Sequence, residues 1–247
     1  MLKITFWGTA SGMPEKGKRH SCLLVQKDGE YTGLLDVGEG VCFTFVEEGF
    51  EANDIDFIFI THFHPDHSAG LFMLLQTFIM KNRTKKLTIF IPEQLKAFQR
   101  SLHFFYIFVE KQNFEVDIKD CQNISDYYPD IQSFKTDHLL KNIVIVTNLS
   151  RENQMYSYGV HIRHKNKIIS YTSDFRDLET IEEYLQNTDI CITDAAHPTQ
   201  DGFNTLLNII KEKIYLTHGN QNWLPEYIKD KPKFEYVSER SILTFSD

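Results

Sequence analysis

The sequence predicts a mixed α/β domain, and three observations predict it. Strand-type and helix-type patterns alternate along the whole chain. The composition, 42% hydrophobic and 24% charged over 247 residues, is that of a folded globular protein with a core large enough to need no disulfide staples. The apolar runs, such as 57–60 and 143–146, are far too short to cross a bilayer. Together these exclude a disordered, collagen-like, coiled-coil or helical membrane chain.

The elements follow in order. Residues 2–7 alternate as a strand and run into the turn Gly8-Thr9-Ala10-Ser11-Gly12-Met13-Pro14. Residues 22–26 and 32–36 are the next strands, joined through the hairpin signal Asp28-Gly29. Gly38-Glu39-Gly40 opens a short helix to about residue 48. Residues 56–60 form a continuous apolar strand, the pattern of burial on both faces, and it ends at Thr61. Residues 66–80 have helical spacing, 87–91 are a strand, and Pro92 starts a helix to about residue 108. The stretch 109–137 is least regular, with strands at 114–118 and 131–135. Strands are expected at 143–148, 157–164, 167–171, 190–193 and 214–216, and helices at 178–186 and 205–211. No repeat, linker or low-complexity segment interrupts this order. One domain spanning 1–247, with two β-halves, is the expected organisation.

Chemistry concentrates in Thr61-His62-Phe63-His64-Pro65-Asp66-His67, directly after the apolar strand. The loop at a strand's C-terminal end is where α/β folds place their sites. His62 and His64 alternate, so both can point to one side of an extended loop. Asp66 and His67 start the next helix and can face a second point close by. Neutral imidazoles with a carboxylate suit Zn²⁺, Mn²⁺ or Fe²⁺. The bland alternative is a helix capped by Asp66 with solvated histidines. Further ligand-type residues follow apolar strands at His138, Asp174 and His218. Singly, each is more often a polar turn residue; jointly with the first motif they are hard to explain structurally.

The HxHxDH motif followed by spaced His, Asp and His resembles the metallo-β-lactamase superfamily, and within it the ribonuclease Z-like branch. The Gly8–Pro14 turn resembles that branch's GT-x-x-G-x-P turn, and Arg19-His20-Ser21 its R-x-S segment. Leu35-Asp36-Val37-Gly38-Glu39-Gly40 resembles its L-D-x-G-E-G loop. The run from Thr61 to Leu71 matches T-H-x-H-x-D-H-x-x-G-L, and Tyr158-Gly159-Val160 sits at its G-Y-type strand. The resemblance implies a four-layer αββα sandwich with the site on the edge between the sheets. It implies two divalent metal ions, zinc first, with Mn²⁺ or Fe²⁺ also suited. His62, His64 and His138 would hold one ion. Asp66, His67 and His218 would hold the other, and Asp174 would bridge them. A hydroxide between the metals would be the nucleophile. Asp66, or Asp36 and Thr61 behind the ligands, would orient ligands or water.

The sequence also departs from that branch. Where ribonuclease Z has an H-E-A-T segment, this chain has Thr193 and Asp194, and His197 is the candidate general acid in its place. A surface histidine before Pro198 is the equal alternative. Asp174 lies only 36 positions after His138, which leaves no room for a long tRNA-binding arm. With 26 basic against 34 acidic residues, net −8, nothing substitutes for that arm, so a tRNA-type nucleic acid is not the expected substrate. The resemblance without the arm, together with the seven candidate ligands, implies action on a small or cyclic phosphodiester. Lactonase, thioesterase and ribonuclease Z-like activities remain alternatives on the same site, and a non-catalytic metal protein is the other class. No ligand-type cysteine lies near Asp174 or His218, which argues against a β-lactamase.

Four cysteines without a CxxC pair, and an N-terminus that reads as a strand rather than a secretory signal, lead to a cytoplasmic expectation with no membrane association. The basic run at residues 81–86 reads as a solvated loop. Phe98, Phe104, Phe105, Tyr106 and Phe108 are open between core, homodimer surface and substrate wall. His103 reads as structural, and His161 and His164 as solvated. Trp223, with Gln221, lies just past His218 and could stack on a substrate.

Overall fold

Two β-sheets carry the fold, one in each of two units into which the chain divides. The computed structural model describes the chain except residues 150, 220, 221, 223 and 247. Trp223 and Gln221 therefore lie outside the described residues.

Unit 1 comprises Met1–Cys121 and Glu239–Asp247. Its strands are β1 (Leu2–Gly8), β2 (Cys22–Lys27), β3 (Tyr31–Leu35), β4 (Phe57–Phe59), β5 (Leu87–Ile91), β6 (Val116–Asp120) and the returning β13 (Ile242–Phe245), in the order β13-β1-β2-β3-β4-β5-β6. The first four in that order run antiparallel; β3 to β6 run parallel. The helices α1 (Val41–Glu47), α2 (Pro65–Ser68), α3 (Gly70–Met80) and α4 (Leu95–Phe104) lie in the connections between parallel strands. Every residue of β4 and β5 is buried, as their unbroken apolar sequences require. Trp7, Phe45, Ile58, Leu74, Phe78 and Ile89 share one apolar core with Phe98 of α4. The helix expected from Pro92 is shorter at both ends. Gln94 at its start and Tyr106 beyond its end take left-handed backbone, φ 55° and 59°, which a continuous helix does not allow.

Unit 2 comprises Gln122–Ser238. Its sheet has the order β12-β11-β10-β9-β8-β7, built from β7 (Ile131–Thr136), β8 (Ser157–His164), β9 (Lys167–Tyr171), β10 (Ile190–Asp194), β11 (Lys213–Thr217) and β12 (Phe234–Tyr236). β8 is antiparallel to both β7 and β9, and β9 to β12 are parallel. The C-terminal ends of β7, β9, β10 and β11 therefore emerge on one edge. The helices are α5 (Ile124–Tyr127), α6 (Ile143–Asn148), α7 (Glu182–Leu185), α8 (Gln200–Ile209) and α9 (Glu226–Lys229). Phe175, Leu185, Phe203, Leu206 and Ile214 belong to a second apolar core.

The strand expected at 143–148 is instead helix α6. β7 pairs directly with β8, so the sheet has no place for another strand between them. The run closes helical bonds of its own, from Leu149 N to Ile145 O at 3.0 Å and from Thr147 Oγ1 to Ile143 O at 2.8 Å. Strands β12 and β13, only three and four residues long, are too short to stand out in the sequence and complete the sheets. No helix among the described residues is long and apolar enough to cross a membrane.

Candidate metal centre

In unit 1, parallel pairing of β3 and β4 brings Asp36 and the loop after Ile60 to the same sheet edge. Asp36 is fully buried, with backbone in the left-handed region at φ 61°. Its Oδ1 accepts the Thr61 N–H at 2.8 Å, and its Oδ2 accepts the Thr61 hydroxyl at 3.0 Å and His67 Nδ1 at 2.8 Å. These bonds set the tautomers. His67 donates from Nδ1, so its Nε2 carries the lone pair. The Thr61 hydroxyl gives its proton to Asp36, so it accepts from His62 Nδ1 at 3.1 Å, and His62 also presents Nε2. His62 Nε2 faces His64 Nδ1 at 3.1 Å, near the ~3.3 Å between two nitrogens on a tetrahedral zinc ion. Asp66 Oδ2 lies 3.6 Å from His67 Nε2.

The loop is held by close backbone approach. A Cβ on Gly38 would come within 2.2 Å of the Asp66 carbonyl oxygen, and one on Gly70 within 2.2 Å of the Gly38 carbonyl oxygen. Only glycine fits at either place. Val37 N–H donates to His67 O, and Gly70 N–H to Val37 O, each at 2.9 Å. The N-terminal turn covers the aspartate, since a Cβ on Gly12 would lie 3.6 Å from Asp66 Oδ2.

In unit 2, His138, Asp174, Asp194, His197 and His218 follow or end β7, β9, β10 and β11. Asp174 Oδ2 stands 3.1 Å from His218 Nε2, 3.6 Å from His138 Nε2 and 3.8 Å from His197 Nδ1. His138, Asp174 and His197 form one group able to hold a metal ion, and Asp194, His197 and His218 another. Thr136 Oγ1 donates to the Asp174 carbonyl at 3.0 Å, and Asp137 accepts the Arg176 and Asp177 N–H groups, so the loop after β9 is tied to the end of β7. His197 Nδ1 pairs with the buried Asp194 carboxylate. That hydrogen bond pushes the His197 imidazole up to about 9. Burial, with the charge of Asp174, raises the Asp194 carboxyl as well. The pair thus holds a proton at neutral pH.

The structure gathers His62, His64, Asp66 and His67 in unit 1, and His138, Asp174, His197 and His218 in unit 2. Asp194 and Asp137 carry no role in the sequence reading. Their signal is the one that exposes the ligands, a carboxylate directly after an apolar strand. Other positions differ from expectation. His161 and His164 are buried, not solvated, because β8 is an interior strand. In the basic run Arg83 is buried, while Lys81, Lys85 and Lys86 are solvated. Phe98 joins the core and stacks on Phe63 of the histidine loop, with ring centroids 5.8 Å apart, whereas Phe104 and Tyr106 are exposed. Cys22, Cys121 and Cys191 are buried free thiols, raised by burial.

A profile of the anti-Pycsar protein Apyc1 family matches residues 2–243, spanning both units. The chain belongs to this family. Among curated relatives, ribonuclease Z of Thermoplasma acidophilum is 27% identical over 242 residues, covering 84% of this chain and 77% of the relative. Ribonuclease Z of Nitrosopumilus maritimus is 36% identical over 97 residues, which is 39% of this chain and only 32% of the relative. Human tRNase Z, short form, superposes with a TM-score of 0.72 at 18% identity, covering 99% of this chain and all of that one. The Apyc1-family chain thus has the metallo-β-lactamase fold and stands in the ribonuclease Z-like branch, among its hydrolases, as the motifs predict. One expectation is corrected. Relatives named ribonuclease Z overturn the argument against a tRNA-type nucleic acid substrate. Net charge averages over the whole chain and does not report the field at one site.

Proposed function

We propose that this Apyc1-family chain is a two-metal phosphodiesterase acting on a small or cyclic phosphodiester. His62, His64 and His138 would hold one ion, and Asp66, His67 and His218 the other, with Asp174 reaching both. The two units then act as one domain over 1–247. The observation that carries this reading is the convergence of donor atoms within each unit: His62 Nε2 on His64 Nδ1 at 3.1 Å, and Asp174 Oδ2 within 3.1 and 3.6 Å of the His218 and His138 Nε2 atoms. Imidazole and carboxylate donors fit Zn²⁺ best, and Mn²⁺ or Fe²⁺ as well.

When bound, a divalent pair neutralises charge on the phosphoryl oxygens and lowers the pKa of an attacking water. The chain's own residues do the rest. Asp36 and Thr61 lock the rings of His67 and His62. The Asp66 carboxylate lies beside His67 and orients the water. His197 protonates the leaving oxygen.

The names of the relatives favour a second reading, an RNA endonuclease with the same site. One experiment separates the two. Metal-reconstituted protein is assayed on bis(p-nitrophenyl) phosphate, 2′,3′- and 3′,5′-cyclic nucleotides and a precursor tRNA, beside Asp174→Ala. Turnover of the cyclic or activated diesters, lowered more than about a hundredfold in the variant, is expected. Cleavage of the precursor tRNA alone selects the second reading. No turnover by protein holding two ions per chain overturns both.

A further inference from the structure

Arg19 closes the neck of the N-terminal turn that covers Asp66. Its carbonyl oxygen accepts the N–H groups of Thr9, at 3.0 Å, and Ala10, at 2.9 Å. Its own N–H donates to a carboxylate oxygen of Glu239. Its side chain passes Gly40, where a Cβ would meet Arg19 Cδ at 2.5 Å, and reaches Glu47 of α1 at 3.5 Å. One residue thus ties together the turn, helix α1 and the segment that leads into β13.

Glu239 is held from the other side. Its neighbour Arg240 donates its N–H to Phe6 O at 2.7 Å, and Phe6 N–H donates to Ser241 O at 3.0 Å. The Arg240 guanidinium pairs with Glu47 at 2.9 Å and Glu48 at 3.1 Å. Strand β1 and the end of α1 therefore fix the segment that carries Glu239. Its half-buried carboxylate lies in the field of the cations of Arg19, Arg240 and Lys18. From Arg19 the contacts continue to the histidine loop. His20 N–H donates to Glu39 O at 3.2 Å, and Gly38 N–H to Ser21 O at 3.0 Å. A Cβ on Gly38 would meet His20 Cβ at 2.5 Å as well as the Asp66 carbonyl oxygen at 2.2 Å. His20, Gly38 and Asp66 are packed too closely for one to shift alone.

We propose that Glu239 is a positioning residue for Asp66. It clamps the neck of the turn through Arg19, and the clamped turn and the Gly38 loop hold the Asp66 carboxylate beside His67 for the ion proposed there. The proposal rests on the two-metal reading and adds to it a residue that touches neither ion nor substrate. A carboxylate already held in place does not pay its ordering cost when the ion binds. Linkage makes the effect reciprocal, so the ion must steady the turn by the factor that the turn adds to its affinity.

The test reads zinc affinity of the full chain by competition with a chromophoric chelator, and amide exchange of residues 9–20 by mass spectrometry. Wild type is compared with Glu239→Ala, Glu239→Gln and Arg83→Met, the last loosening unit 1 away from the turn. Glu239→Ala is expected to weaken one of two ions about tenfold and to leave the other unchanged. Exchange at residues 9–20 should quicken by a similar factor. Glu239→Gln keeps an oxygen for the Arg19 N–H and should lose less on both readouts. Arg83→Met should keep both affinities. Zinc should slow exchange at residues 9–20 in wild type, a result that depends on no variant folding. Wild-type affinity for both ions in Glu239→Ala overturns the proposal and leaves the metal centre standing. So does an equal loss in Arg83→Met, which would make the effect one of stability alone, and so does exchange at residues 9–20 that zinc leaves unchanged in wild type. Wild-type protein that binds no zinc overturns the metal centre, and the proposal with it.

Discussion

Arg83 lies in a run whose other cations face water, yet it is 1% exposed. Its guanidinium donates to the carbonyl oxygens of Ala52, of Ile55 at 2.7 Å and of Lys86 at 2.7 Å, between the rings of Phe78 and Phe114. Burial pushes it down to about 10, so it stays charged at neutral pH. Its place is structural. It satisfies three carbonyls, two in the connection from α1 into β4 and one in the turn from α3 into β5, and so ties the two loops together through one rigid fork of donors. Arg83→Met keeps the volume and removes every donor. Leaving those carbonyls unpaired should cost about 3 kcal/mol or more, lowering Tm by about 6–12 °C for a chain of this size. Calorimetry of the two proteins checks this, and Arg83→Lys should recover only part of the loss. An unchanged Tm in Arg83→Met would mean that water replaces the guanidinium.

Single elements explain both what the sequence discloses and what it hides. The histidine loop is legible because its candidate ligands crowd into His62–His67 and directly follow β4, whose unbroken apolar run fits a strand buried on both faces. His138, Asp174 and His218 are legible for the same reason at β7, β9 and β11. The run Ile143-Val144-Ile145-Val146 misleads because β-branched residues favour strands, while the pairing of neighbouring strands decides whether a strand has a place. β8 hides its histidines differently. His161 follows a buried Val160 and precedes a buried Ile162, so the strand is covered on both faces and alternation gives no warning. There His161 Nδ1 bonds Ser170 Oγ at 2.8 Å, and the ring stacks on Phe134. Burial, helped by Arg163, lowers it from 6.5 to about 4. Its sign is fixed by linkage. Between those values the unfolded chain binds a proton that the folded sheet refuses, so stability falls as pH drops through 6.5 and levels off below about 4. At pH 5 the penalty is about 2 kcal/mol relative to pH 7.5. Urea unfolding of wild type and His161→Gln at the two pH values should show the gap between them shift by that amount in favour of the variant at pH 5. A gap independent of pH would show that His161 is protonated in the fold.

At the scale of the whole molecule, each unit brings ligand-type side chains to the C-terminal edge of its own sheet, and neither carries the full set of seven. The proposed centre therefore makes metal binding a property of the folded chain as a whole. An ion that binds only the folded state stabilises it by mass action, about 2.7 kcal/mol at a hundredfold excess over Kd, or about 5–11 °C in Tm for this length. Zinc added to chelator-treated protein should raise Tm by that order, and chelation should reverse it. Removing one candidate ligand from each unit tests whether the centre is shared. If the ions draw on both units, His62→Ala in unit 1 and His218→Ala in unit 2 should each weaken the zinc-dependent shift, although their substituted residues lie on different sheets. If instead unit 2 binds alone, through His138, Asp174 and His197, then His62→Ala leaves the shift intact and only His138→Ala or Asp174→Ala changes it. That second pattern would overturn the shared centre, and it is read from Tm alone, whatever substrate the protein acts on.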